Sequence, residues 1–186
     1  MTPGMRQWWN VANLLTAVRL LLAPFIGRAI LDRRHALALT LFLIAGTTDI
    51  LDGTWARRFG SITQAGAYLD PIADKILLSS IYISLAAIGS VPWWFVGIIF
   101  GRDLFLLASS GAAILFTRMR RFPPSAWGKV STFCQISTGV TFMVRNAVSS
   151  PALEWLAAAL IWPTVLITVG SGIHYGWRGA RWARTH

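Results

Sequence analysis

Six apolar stretches, each near the length that crosses a bilayer, follow one another along the chain. They run from about Val11 to Leu31, Ala36 to Asp52, Ala67 to Gly89, Pro92 to Phe116, Lys129 to Val148 and Leu153 to Tyr175. A spanning helix takes about 20 residues. Six of them use most of a 186-residue chain and leave only short connections and tails. The expected fold is therefore an all-α integral membrane protein of six transmembrane helices, forming a single domain over residues 1–186. Composition points the same way. The chain is 55% apolar and 13% charged, against roughly 25% charged in soluble domains. That balance excludes a disordered chain, a collagen-like chain and an ordinary soluble domain. A single cysteine, Cys134, excludes an intramolecular disulfide framework.

Charge sets the orientation. The chain carries 17 Lys and Arg against 7 acids, a formal +10. In a soluble protein this would suggest nucleic acid. Here the charges punctuate apolar segments, so anionic lipid head groups and positive-inside topology account for them and no nucleic acid is expected. With the N-terminus in the cytoplasm, the inside segments hold Arg6, Arg57, Arg58, Arg118, Arg120, Arg121, Lys129, Arg178, Arg181 and Arg184. The outside segments hold Arg33, Arg34 and Arg145. Ten against three predicts both termini in the cytoplasm. The Arg33–Arg34 pair is the part of the chain that runs against this rule.

Acids are scarce, so their placement is informative. Asp49, Asp52, Asp70 and Asp74 fall within 26 residues. Asp49 and Asp52 are three apart, and Asp70 and Asp74 four apart, so each pair shares a helix face. The first pair closes the second span and the second pair opens the third. A turn through Arg57, Arg58 and Gly60 is expected to join them, so that two antiparallel helices aim four carboxylates at one point. Ionised carboxylates gathered in a low-dielectric setting need compensation. A divalent cation supplies it, and oxygen-only ligands suit Mg²⁺ or Mn²⁺ rather than Zn²⁺. Four negative charges would balance two such ions, an arrangement suited to phosphoryl chemistry on a diphosphate. Gly53 and Gly66 remove side chains beside the acids and let a bulky ligand approach the backbone. Salt bridges from these Asp residues to Arg57, Arg58 and Lys75 are the structural alternative. A non-enzymatic divalent-metal transporter or channel is the alternative of another class. It would need a polar path through the outer halves of the spans, which are strongly apolar.

The stretch reads Asp49-x2-Asp52-Gly53-x2-Ala56-Arg57-x8-Gly66-x3-Asp70-x3-Asp74. All eight fixed residues resemble the signature of the CDP-alcohol phosphotransferases, the class-I CDP-alcohol phosphatidyltransferases. The likeness extends over most of the chain. Asn13-x2-Thr16-x2-Arg19 resembles the family's first helix. Gly101-Arg102-Asp103 and Ser125-x2-Gly128-Lys129-x2-Thr132-x2-Gln135 are similar to elements of its phosphatidylglycerophosphate and cardiolipin synthase branch. Ser171-Gly172-x2-Tyr175 is similar to the end of its sixth helix.

The resemblance implies a metal-dependent enzyme of phospholipid biosynthesis. It would transfer a phosphatidyl group from CDP-diacylglycerol to glycerol 3-phosphate, giving phosphatidylglycerophosphate and CMP. The alternative is cardiolipin synthesis with phosphatidylglycerol as acceptor, because Ser131 stands where many phosphatidylglycerophosphate synthases have a second Lys. On the same basis Asp49, Asp52, Asp70 and Asp74 bind metal, and Asp74 is the catalytic base that takes the proton of the acceptor hydroxyl. Asp49, Asp52, Gly53, Ala56, Arg57, Gly66 and Asp70, with Thr16 and Arg19 of the first helix, form the donor site. Arg19 has a structural alternative, a salt bridge to an Asp of the second span. Arg102, Lys129 and Arg118 are the candidates for an anionic acceptor, although Asp103 could neutralise Arg102 locally. A homodimer among membrane lipids is implied, in a bacterial inner membrane, with the active site facing the cytoplasm.

Overall fold

The computed structural model describes the backbone of residues 11–59, 64–116 and 126–185, and the side chains of 17–48, 72–109 and 127–177. Among the described residues there are six α-helices and no strand. They are α1 (Val11–Leu31), α2 (His35–Phe59), α3 (Gln64–Ala87), α4 (Trp93–Phe116), α5 (Ala126–Ala147) and α6 (Pro151–Thr185). Of these, α6 over Pro151–Trp177 is long and apolar enough, among the described residues, to cross a membrane on that criterion alone. His35–Thr48 is a shorter apolar run.

The helix bounds correct the sequence reading in three places. The helix α2 continues past Asp52 to Phe59, so Arg57 and Arg58 belong to its last turn and not to a connecting turn; Gly60 lies outside the described residues. Nothing between Asp52 and Phe59 stops a helix except a single tolerated glycine. The helix α3 starts at Gln64, so Asp70 lies well inside it and does not open it. The helix α6 runs ten residues beyond Tyr175, to Thr185, through a Gly-, Arg- and Trp-containing segment that includes no proline.

The chain divides into two compact units. The first holds α1, α2 and α3 with Asn146–Val148. In it, α1 packs on both α2 and α3. Its buried side is apolar at helical spacing: Ala23, Ile26 and Ile30 on α1, and Ala73, Leu77, Ile81 and Leu85 on α3. Contacts between α1 and α3 climb together. Arg19 meets Asp74, the Ser80 hydroxyl donates to the Ala23 carbonyl at 2.7 Å, and Gly27 faces Ser80 and Ser84. The two helices are therefore parallel. A Cβ on Gly27 would come 2.5 Å from the Ser80 Oγ and 3.0 Å from the Ser84 Oγ, so this approach depends on glycine.

The α1–α2 connection is a tight helix stop. Arg34 N–H donates to the Ala29 carbonyl at 2.8 Å and Arg33 N–H to the Ile30 carbonyl at 3.0 Å, the paired bonds of a Schellman motif. Arg33 occupies the left-handed position at φ 57°, where glycine is the usual residue. A side chain there costs roughly 1 kcal/mol.

The second unit holds α4, α5 to Arg145, and α6. Its interior is different in kind. Ser131, Gln135 and Thr138 lie at i, i+4 and i+7 on α5, and Thr164, Thr168 and Ser171 at the same spacing on α6, all fully or almost fully buried. Ser131 and Thr168 hydroxyls are 3.2 Å apart, Gln135 Nε2 donates to Thr168 Oγ1 at 3.2 Å, and Thr138 and Thr164 hydroxyls are 2.8 Å apart. Large apolar side chains of the same helices point outward: Phe133 is 70% exposed, Leu166 71% and Trp155 75%.

Candidate active site

The motif residues are distributed along unbroken helix. Asp49, Asp52, Gly53, Ala56 and Arg57 all lie on α2, and Gly66, Asp70 and Asp74 on α3. The side chains of Asp49, Asp52, Ala56, Arg57 and Asp70, and that of Thr16 on α1, lie outside the described residues, as does Arg118 altogether. The 3- and 4-residue spacings inside continuous helix keep each Asp pair on one face.

Asp74 is the motif carboxylate whose side chain is described. It is about half exposed, with 51% of its side-chain surface open, and it forms an ion pair with Arg19 of α1. The Arg19 guanidinium is buried. An arginine in that setting is costly unless it meets an anion. The described anion that it meets is Asp74 of α3; the Asp side chains of α2, the expected structural partner, lie outside the described residues. Proximity follows from the parallel register of α1 and α3, which places Arg19 level with Asp74.

The acceptor candidates whose side chains are described fall in the second unit. Arg102 is buried on α4, where Nη1 donates to Asp103 Oδ1 at 2.9 Å and Nε donates to the Ser171 hydroxyl at 3.1 Å. Ser171 in turn donates its own proton to the Thr168 carbonyl at 2.8 Å. The local neutralisation by Asp103 is therefore present, and the Ser171 bond links two segments that are far apart in sequence, Gly101–Asp103 and Ser171–Tyr175. Lys129 sits exposed in the first turn of α5. The buried hydroxyl run of α5 and α6 is the feature that sequence reasoning misses. Its signal is there: Ser, Gln and Thr at i, i+4 and i+7 make a polar stripe on otherwise apolar helices.

The residues fit a divalent metal by donor chemistry. The motif offers carboxylate oxygens alone, on rigid helical turns, which suits a hard ion. Among the described residues no group of three or more His, Cys, Asp or Glu gathers, and three of the four motif carboxylates lie outside that set.

The model of the family described as CDP-alcohol phosphatidyltransferase matches residues 9–170 of this chain. The chain belongs to the CDP-alcohol phosphatidyltransferase family. Members of this family are membrane-embedded enzymes that generally depend on a divalent metal. The chain is 35% identical over 185 residues to a Mycobacterium tuberculosis protein named "Probable phosphatidylglycerophosphate synthase", covering 96% of this chain and 85% of that one. It is 29% identical over 188 residues to the CDP-diacylglycerol--glycerol-3-phosphate 3-phosphatidyltransferase of Bacillus subtilis, covering 90% and 93%. It is 39% identical over 124 residues to the human cardiolipin synthase (CMP-forming), covering 66% of this chain and 40% of that one. As a CDP-alcohol phosphatidyltransferase, the protein is an enzyme of phospholipid biosynthesis, and the Asp-rich stretch of α2 and α3 lies inside the matched region.

Proposed function

We propose that this CDP-alcohol phosphatidyltransferase moves a phosphatidyl group from CDP-diacylglycerol to glycerol 3-phosphate, releasing CMP. The names of the relatives that match nearly the whole chain support this acceptor. The observation that carries the site assignment is the half-exposed Asp74 carboxylate held by the buried Arg19 guanidinium. A half-exposed carboxylate positioned by a buried guanidinium is suited to take a proton from a substrate hydroxyl.

In this reading Asp49, Asp52, Asp70 and Asp74 hold Mg²⁺ or Mn²⁺, with two ions balancing four carboxylates. When bound, the metal neutralises the diphosphate and polarises the phosphorus under attack. Asp74 accepts the proton of the acceptor hydroxyl. The acceptor oxygen forms a bond to the lipid-linked phosphorus as the bond from that phosphorus to CMP breaks. Gly53, Ala56 and Gly66 leave room for the cytidine, and Thr16 and Arg57 contact the donor. Lys129 and Arg118 attract the anionic acceptor. Arg102, already engaged by Asp103 and Ser171, contributes a fixed positive charge and not a free hand.

The whole chain, residues 1–186, acts as one membrane domain of six spans. Both termini and the Asp motif face the cytoplasm, in the inner membrane of a bacterial cell, and the enzyme is a homodimer. The second unit supports the bilayer setting: its hydroxyls and Arg102 are buried while Phe133, Leu166 and Trp155 face outward. That is the distribution a lipid environment selects.

Cardiolipin synthesis is the second reading. Two observations favour it: the 39% identity to the human cardiolipin synthase, and Ser131, which is buried in the hydroxyl run where a lysine would bring charge. Purified protein in lipid decides between them. Offered CDP-diacylglycerol with Mg²⁺ or Mn²⁺, it should release CMP when glycerol 3-phosphate is added and stop when a chelator is added. Release that depends on phosphatidylglycerol instead would establish the second reading. Release with neither acceptor would overturn both.

A further inference from the structure

The α1–α2 connection carries a feature that the transfer reaction does not use. Arg33 and Arg34 are both exposed, and among the described residues neither guanidinium has an acidic partner. The nearby Asp32 is engaged elsewhere: it accepts from Arg28 Nε at 3.0 Å. Two unneutralised positive charges therefore stand side by side at the tip. Arg33 is held there at φ 57°, in the left-handed position of the helix stop, where glycine would be free of strain. Backbone strain kept at an exposed charged residue points to a use for that residue.

Its place along the helices is equally informative. Arg34 precedes α2, and Asp52 lies about 27 Å further along that helix at 1.5 Å per residue. This is close to the thickness of a hydrocarbon core, about 30 Å. The arginine pair and the Asp motif consequently sit at opposite ends of the first unit. The pair also opposes the charge rule that orients the chain, since cytoplasmic loops collect the Lys and Arg residues. A compensating anion on that side accounts for the misplaced charge. The Arg33 charge is felt locally: the His35 imidazole is held below its ordinary pKa, by burial first and by Arg33 second.

We propose that Arg33 and Arg34 form a binding site for phosphate-bearing lipid head groups in the leaflet opposite the Asp motif. The occupant is an anionic phospholipid. The rigid backbone of the helix stop presents two guanidinium forks at head-group level, and guanidinium pairs well with phosphate oxygens. The site rests on the proposed membrane orientation, so orientation is tested separately.

The experiment uses the full chain in neutral detergent and compares wild type, Arg33→Gly and Arg33→Gly/Arg34→Gln. Native mass spectrometry and thermal unfolding are followed during titration with phosphatidylglycerol, phosphatidylcholine and inorganic phosphate. Wild type should retain phosphatidylglycerol in preference to phosphatidylcholine. The double variant should lose affinity roughly 10- to 30-fold, about fivefold per arginine. Lipid-free Arg33→Gly should melt about 2 °C higher than wild type, because glycine relieves the left-handed backbone. That rise separates a binding residue from one that merely supports the fold. CMP release in mixed micelles of detergent and phosphatidylcholine should be unchanged. Equal phosphatidylglycerol affinity in all three proteins would overturn the site. Inorganic phosphate that binds at the pair as well as the lipid does would overturn the lipid assignment. For orientation, Arg34→Cys in a Cys134→Ser background should react with an impermeant thiol reagent added outside intact cells. Labelling only after lysis would overturn the orientation and hence the leaflet, whatever the lipid titration gave.

Discussion

The two units of the molecule solve the same packing problem with opposite materials. In the first, α1 and α3 meet through Ala, Ile and Leu side chains, with Gly27 facing Ser80 and Ser84 and an ion pair between Arg19 and Asp74. In the second, α5 and α6 meet through Ser, Thr and Gln, and α4 joins α6 through Arg102 and Ser171. In lipid, burying an apolar side chain brings little, because the tails outside are equally apolar. Helices then associate through close fit or through hydrogen bonds. The first unit relies on fit and the second on hydrogen bonds. Substitutions should therefore hurt the first unit by volume and the second by polarity.

The largest expected effect is chemical and confined to the first unit. Asp74→Asn should lower the rate of CMP release by about 10²–10⁴ while the protein stays folded, the range lost with a general base. Full activity in that variant would remove Asp74 from the proposed role. Next is volume. Ile81→Ala, fully buried on α3, should destabilise the protein by about 2–5 kcal/mol in a detergent-based unfolding assay. Gly27→Ala should cost about 1–3 kcal/mol, since the new methyl group meets the Ser80 hydroxyl that donates to Ala23. Gly27→Ala/Ser80→Ala should recover part of this loss, and no recovery would mean the strain lies in the backbone. In the second unit, Thr138→Val keeps the volume and removes one hydroxyl, leaving Thr164 without its partner. It should cost about 1 kcal/mol, and Thr138→Val/Thr164→Val should cost less than the single change. A double variant worse than the single one would break the contrast between the units.

The smallest effect concerns pH. His35, at the start of α2, has its pKa lowered in the folded protein by burial and then by Arg33. The unfolded chain, with the ordinary value near 6.5, takes up a proton first as pH falls. The folded state therefore loses a small increment of stability as pH drops from about 6.5 through the folded-state value, and holds it fully above 6.5. His35→Gln should flatten that part of the stability profile. A profile that steepens instead would contradict the sign.

Much of this is legible in the sequence, for reasons specific to each element. The C-terminal end of the first helix can be read at Leu31 because its apolar run is closed by Asp32, Arg33 and Arg34. The second reads short because Asp49 and Asp52 look like the end of an apolar span. Charge ends a hydrophobic run, but it does not end a helix, and Arg57 and Arg58 continue one. The Asp motif is visible as spacing alone. The pairing of Asp74 with Arg19 is only partly visible, since it depends on the parallel register of α1 and α3, along which Gly27 and Ser80 also meet. The hydroxyl run of α5 and α6 escapes notice because Ser and Thr interrupt apolar segments without charge.

Gly27 and Ser80 work together like a notch and a tooth. Sliding α1 by one turn in either direction would bring Ala23 or Leu31 to the place of Gly27, and either Cβ would strike the tooth. Arg19 lies about 12 Å from the notch along the same helix, with Pro24 between them. The reach of its guanidinium to Asp74 is therefore gauged at a distance, by a residue with no side chain and no part in the chemistry.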